Sequence, residues 1–179
     1  MDKKEEGRLK SLHRYNLLDT PPDGTFDKLT KLAASIFNIP IALITLVDTD
    51  RIWFKSKYGL ETDQISRDPG LCASAILSDD VYVVEDARND PRTLANPLVA
   101  SSFGLQFYAA APLHTKDGYN LGTFCILDKQ KRYFNTRQQE DLRLFSEIVM
   151  DIIEQRLQAH NALNELQSKI DNSSRSKIA

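Results

Sequence analysis

Residues 105–127 read LQFYAAAPLHTKDGYNLGTFCIL. Two apolar stretches, Leu105–Leu113 and Tyr119–Leu127, flank Lys116-Asp117-Gly118. Asp-Gly between two strand-like runs favours a tight antiparallel hairpin, because the turn needs residues that tolerate a left-handed backbone. A second pair lies upstream. Ile39–Val47 is β-branched and almost wholly apolar, as a buried central strand is. Asp48-Thr49-Asp50 supplies turn chemistry and Arg51–Tyr58 returns, with Gly59 closing the hairpin. Its alternation sets Arg51, Trp53 and Lys55 on one face and Ile52, Phe54 and Ser56 on the other. Between the hairpins, residues 60–70 read as a polar loop, Leu71–Leu77 as a two-turn helix and Val81–Val84 as a brief strand. Thr93–Val99 reads as a helical turn broken by Pro97.

Helical periodicity brackets these strands. Leu9, Leu12, Tyr15 and Leu17 or Leu18 form one stripe over residues 3–18, which Asp19-Thr20-Pro21-Pro22-Asp23-Gly24 interrupts. Thr25 is the expected N-cap of a second helix with Phe26, Leu29, Ala33, Ile36 and Phe37 on its apolar face, ended by Asn38 and Pro40. Thr136-Arg137-Gln138-Gln139 reads as a capping box opening a last helix that meets no proline or glycine before the C-terminus. Along it Leu142, Phe145, Val149, Ile152, Arg156, Ala159, Leu163, Leu166 and Ile170 step by threes and fours, a heptad seam. Leu144, Ile148 and Ile153 widen the stripe near its start, so that half is expected to pack on the domain. The narrow seam beyond Arg156 is expected to pair with a partner helix. The order of elements predicts an α+β fold: a mostly antiparallel sheet with the terminal helices on one face. The expected segments are an N-terminal helix over 1–20, the domain over 21–155 and a coiled-coil-like extension over 156–179.

The whole chain, 179 residues and 20.3 kDa, suits one domain with helical extensions. Twenty-three basic against 25 acidic residues, net −2, supply no field for holding nucleic acid. The longest apolar run, Ile39–Val47, contains Pro40 and is too short to span a bilayer, and the start Met-Asp-Lys-Lys-Glu-Glu does not resemble a signal peptide. A cytoplasmic protein with neither nucleic-acid nor membrane partners is expected. Cys72 and Cys125 fit no zinc or redox spacing, and there is no CxxC, no HExxH and no phosphate-cradling glycine loop. With only His13, His114 and His160 as imidazoles, composition leans toward a binding module and no metal.

Seven stretches in order carry a resemblance to the GAF domain family. They are Arg14–Pro22, Pro40–Asp48, Arg51–Lys55, Arg67-Asp68 leading to Leu71–Ile76, Asp86–Arg92, Phe107–Leu113 and Leu121–Asp128. The resemblance is to a bacterial sensor-type subgroup found at the front of sensor kinases and cyclic-di-GMP enzymes, or standing alone. It implies a central antiparallel sheet of about six strands, a small-molecule pocket under short helices and loops on one face, and terminal helices that dimerise on the other. It also implies signal transduction without catalysis: an unidentified ligand shifts helix packing, and the shift passes to an output partner, either on a separate protein or on a longer chain of which this is a fragment. Specialised versions of the family differ in chemistry. A covalent bilin needs a cysteine normally followed by histidine, whereas Cys72 precedes Ala73 and Cys125 precedes Ile126. The Asn-Lys pair of cyclic-nucleotide versions is missing, and haem would have only His114 near the sheet. Two alternatives stand beside the sensor: a thiol enzyme similar to free methionine sulfoxide reductase, acting through Cys72 and Cys125, and a ligand-free dimerisation module.

The candidate pocket residues are Trp53, Arg67, Asp68, Cys72, Ile76, Phe107, Tyr108, Ala110 and Cys125. Trp53 offers a face for stacking and Arg67 a bidentate partner for an anion, against which stand plain packing for Trp53 and an ion pair to Asp86 or Asp90 for Arg67. Asp86, Arg88, Asp90 and Arg92 read as a loop-ordering network. The three small side chains Ala109, Ala110 and Ala111 leave room for a ligand on one face or for a close helix on the other. The candidate dimer and relay residues are Leu142, Phe145, Val149, Ile152, Leu163 and Leu166.

Overall fold

Residues 2–176 are described by a computed structural model. Six antiparallel strands form one sheet in the order β3-β2-β1-β6-β5-β4. The strands are β1 (Ile41–Val47), β2 (Arg51–Tyr58), β3 (Gln64–Ser66), β4 (Tyr82–Val84), β5 (Phe107–His114) and β6 (Asn120–Asp128). Both expected hairpins are present, and β1 and β6 meet at the centre, each buried along its whole length. The tip of the β5–β6 hairpin closes with Thr115 N–H donating to the Tyr119 carbonyl at 2.9 Å. Gly118 takes φ +85°, the left-handed backbone for which Asp-Gly was read.

The long and terminal helices α1 (Lys3–Arg14), α2 (Gly24–Ile36) and α5 (Thr136–Ser176) cover one face. The short helices α3 (Leu71–Ala75) and α4 (Pro97–Ala100) cover the other with loops. The sheet thus separates two cores. Leu12, Phe26, Phe107, Phe124, Leu142, Phe145 and Val149 belong to the first, and Leu43, Phe54, Cys72, Tyr108 and Cys125 to the second. At the centre Thr45 and Thr123 hydroxyls meet at 2.9 Å. Nearby, a Cβ on Gly122 would fall 1.8 Å from the Thr45 carbonyl oxygen, so the two strands approach as closely as glycine permits.

Several local expectations are corrected. The first helix stops at Arg14, because Asn16 and Asp19 take positive φ; Leu17 and Leu18 still pack on the core. The second helix is capped by Asp23, whose carboxylate accepts from Thr25 N–H at 2.9 Å, so Thr25 lies inside it, and Ile36 faces outward. Residues 64–66 of the expected loop form the edge strand β3. Pro97 begins α4, its missing N–H costing nothing in a first turn. The capping box exists one residue earlier: Asn135 Oδ1 accepts from Gln138 N–H at 2.9 Å, and Gln138 Oε1 accepts from Asn135 N–H at 3.0 Å. In β2 the alternation fails at Lys55. Ile44 pairs with Ser56 and Thr45 with Phe54, leaving Lys55 as an extra residue in a bulge. Trp53, Lys55 and Ser56 therefore all serve the helical side; Ser56 Oγ donates to Asp27 at 2.6 Å and Lys55 Nζ to Thr20 Oγ1 at 2.6 Å.

The last helix is corrected too. Leu142, Phe145 and Val149 are buried against the chain's own sheet, and Ile152 is partly buried beside them. Leu144 and Ile148 point outward instead, as do Leu163 and Leu166 on the projecting half, while Ile153 packs inward as expected. The sheet claims the arc of the helix that carries Leu142, Phe145, Val149 and Ile153, which leaves the flank with Leu144 and Ile148 uncovered.

Candidate functional site

On the short-helix side the sheet does not fill the space beneath its loops. A cavity of about 250 Å3 lies there. Its walls are Leu43, Phe54 and Leu127 from the sheet, Leu71 from α3, Leu98 from α4, and Phe103 from the loop that follows α4. The polar side chains come from both sides: Tyr108 from β5 and Cys125 from β6 on the floor, and Cys72 from α3 and Thr62 from the loop above it. Among the described residues no charged side chain lines it. β5 reaches the cavity through Tyr108 because successive residues of a strand alternate faces, which turns Phe107, Ala109 and Ala111 to the helices.

These groups form a network of weak donors between cover and floor. Tyr108 O–H donates to Cys72 Sγ at 3.1 Å, and Thr45 and Thr123 stand within the same buried cluster. Cys125 and then Tyr108, Thr45 and Thr123 act on Cys72 and pull its thiol below the ordinary range despite burial. Burial, then the neighbouring Cys72, pushes the Cys125 thiol well up. Burial likewise raises Tyr108 and keeps its proton in place to donate. The two thiols act on each other and share the tyrosine hydroxyl, and both line the apolar cavity.

Of the nine candidate pocket residues, Cys72, Tyr108 and Cys125 line this cavity. Ile76 and Ala110 are buried on the same side without reaching it; Ala110 pairs with Cys125 across the strands. Trp53 and Phe107 are on the opposite face, and this corrects their assignment: Trp53 pairs with Leu46 on the helical side and borders a groove at the edge of β2. That groove is larger, about 430 Å3, but its charged groups are spoken for: Asp19 holds Arg51 at 2.7 Å, Lys57 holds Asp63 at 2.7 Å and Lys55 is tied to Thr20. Arg67 is also corrected. It pairs with Glu5 of α1 at 2.7 Å and donates to the Asp48 carbonyl at 2.9 Å, not to Asp86 or Asp90. Asp68 is exposed beside it. In the loop network Asp90 holds Arg92, and Asn89 donates to Asp86 at 2.9 Å. Leu98 and Phe103 were missed, since they sit in an irregular segment where no periodicity exposes a face. Phe54 was missed as well, because the alternation set it opposite Trp53 and the pocket was assigned to the face of Trp53.

The GAF domain family matches residues 21–157, and the chain belongs to it. A cyclic di-GMP phosphodiesterase of Pseudomonas aeruginosa is 40% identical over 128 residues, which are 72% of this chain and 22% of that protein. The chain thus spans about a fifth of the length of that relative. Among solved structures, the GAF domain of an Acinetobacter phosphoenolpyruvate-protein phosphotransferase aligns with a TM-score of 0.62 at 14% identity, over 90% of this chain and 99% of that one. A free methionine-R-sulfoxide reductase from Neisseria meningitidis, in complex with its substrate, aligns with a TM-score of 0.63 at 18% identity, over 89% and 95%. At such identities these likenesses concern the fold alone.

Proposed function

We propose that this chain is a cytoplasmic, non-enzymatic signalling GAF module that binds a small uncharged molecule in the cavity and passes occupancy through the sheet to its terminal helices. The observation that carries the reading is the two-sided sheet: an apolar chamber on one face and, across one layer of backbone, the helices that lead out of the domain. Occupancy acts only so far as the ligand prefers one helix arrangement over another. The output is a partner domain, on a separate protein or on the same chain, and the module works as a homodimer. The dimer face is assigned to Leu32 and Ile36 of α2 with Leu144 and Ile148 of α5, continued by Leu163 and Leu166. The two helices touch, with Phe37 against Phe145 at 6.0 Å between centroids and Asp23 paired with Arg156, and the reading takes the outward residues of both as one dimer face.

The chemistry of the chamber weighs against the reductase alternative. Free methionine sulfoxide is a zwitterion, and an uncharged lining would leave its ammonium and carboxylate desolvated and unpaired. The test of the sensor reading uses native mass spectrometry and thermal unfolding with indole as the probe. A dimer is expected, and indole at 100 times its Kd should stabilise it by about 2.7 kcal/mol, roughly 5–10 °C in Tm. Indole-3-acetate, of similar shape but charged, should leave Tm unmoved. A Tm indifferent to indole and to other small apolar molecules would leave the dimerisation module as the better reading.

A further inference from the structure

The cavity has more chemistry than a binding site needs. Both cysteines are free and buried, and folding brings them together from α3 and β6. A thiol that only fills core is inert and driven toward its protonated form by burial. Cys72 is instead furnished with a tyrosine hydroxyl at 3.1 Å and a neighbouring thiol, and lines the apolar cavity.

We propose that Cys72 and Cys125 form an oxidisable dithiol, a stoichiometric modification site for an uncharged organic hydroperoxide that enters through the apolar cavity. Cys72 Sγ attacks the terminal oxygen of R–O–OH. An S–O bond forms, the O–O bond breaks, and the alkoxide leaves with the proton given up by the Cys72 thiol, as ROH. Cys72 is then a sulfenic acid. Cys125 Sγ attacks the Cys72 sulfur; the S–S bond forms, the S–O bond breaks, and hydroxide departs with the Cys125 proton as water. The hydroperoxide gains two electrons and the dithiol loses two. Tyr108 is the positioning residue, its hydroxyl steadying the attacking sulfur. The class of oxidant follows from the lining, where a neutral molecule with an alkyl or aryl body gains from burial and a charged one is penalised. A disulfide here would pin α3 to β6, fixing the cavity's cover to its floor. The inference shares the cavity with the sensor reading but needs neither the relay nor the dimer.

The experiment takes the reduced full chain, freed of reductant under nitrogen, and mixes it with one equivalent of cumene hydroperoxide before quenching with iodoacetamide. Expected are a mass lower by a pair of hydrogen atoms, a peptide cross-linked through Cys72 and Cys125, and one cumyl alcohol per chain. The rate should exceed that with hydrogen peroxide by about tenfold or more, the ratio that burying roughly 55 Å2 of apolar surface supports. Cys125→Ser should stop at a sulfenic acid on Cys72, captured by dimedone, and Tyr108→Phe should slow the reaction without changing its product. Two alkylated thiols, a disulfide between chains, or equal rates with the two peroxides would overturn the proposal. The wild-type peptide map decides even if a serine variant fails to fold. Stabilisation by indole with unreactive thiols would remove this inference alone, and disulfide formation in a chain indifferent to apolar ligands would remove the sensor reading alone.

Discussion

Replacing Leu144 and Ile148 together with glutamate should convert the proposed dimer to a monomer without unfolding it. Leu32, Ile36, Leu144 and Ile148 are 50%, 56%, 54% and 44% exposed. At roughly 200 Å2 for each fully exposed residue, they expose ~400 Å2 per protomer, or ~800 Å2 for two copies. At about 25 cal/mol/Å2 that is a gross ~20 kcal/mol, from which association subtracts some 10–15 kcal/mol, leaving a Kd near the micromolar range. The double substitution removes about half of that area and sets like charges on both copies. An interface with a net 5–10 kcal/mol cannot absorb a loss of that size. Sedimentation velocity should show monomer up to hundreds of micromolar, while far-UV circular dichroism and Tm of the monomeric fold stay within the range of ordinary surface changes, about 0.5 kcal/mol. Val149→Lys is the contrast, since Val149 is fully buried under the sheet and a lysine there should unfold the domain. A glutamate variant that dimerises as tightly as the wild type would refute the assignment of this face, as would a monomeric wild type.

Three further outcomes are expected. Gly122→Ala should cost about 4 kcal/mol or more, because its Cβ would meet the Thr45 carbonyl at 1.8 Å in the middle of the sheet; urea unfolding measures it, and a loss under 1 kcal/mol would contradict the close approach. Asn135→Ala should remove about 1 kcal/mol, or 2–4 °C in Tm, by stripping the N-terminal hydrogen bond of α5, whereas Thr136→Ala should cost less. Arg8, and then Arg67, draw the Glu5 carboxyl down from 4.5 to about 2 against the opposing effect of burial. A lowered carboxylate contributes stability above its unfolded value and loses it as pH falls through the folded one, so Glu5 should forfeit about 1–2 kcal/mol between pH 4.5 and 2 after solvent screening. Glu5→Gln should flatten that part of the pH–stability curve, and an unchanged curve would refute the pairing.

Legibility followed the kind of signal each residue carries. The two hairpins could be read because Asp117-Gly118 and Asp48-Thr49-Asp50 are local chemistry between long apolar runs. The strand Gln64–Ser66 could not, since a three-residue polar edge strand exists only through its pairing with β2. Both helix starts were misplaced by a residue or two, because Asp23 and Thr25, or Asn135 and Thr136, are all competent caps and the turn geometry chooses between them. Lys55 hid the bulge: nothing in an alternating pattern says which residue will be skipped, yet that residue decides that Ser56 faces α2. In the site, Cys72, Tyr108 and Cys125 came from a family resemblance, whereas Trp53, Phe107 and Arg67 were drawn to it by chemistry that packing used elsewhere. The heptad spacing was real, but periodicity cannot tell a helix's own sheet from a second molecule.

The three alanines of β5 have a mechanical consequence. Ala109 and Ala111 meet the helices, and Ala110 faces the other core beside Cys125. At these positions only a methyl group stands on either side of the backbone, so the strand behaves as a thin diaphragm where larger residues would make it a cushion. Long side chains absorb a displacement by changing rotamer; a methyl has no rotamer to change. Movement of the floor around Tyr108 and Cys125 would therefore reach α5 as movement, with little slack taken up on the way.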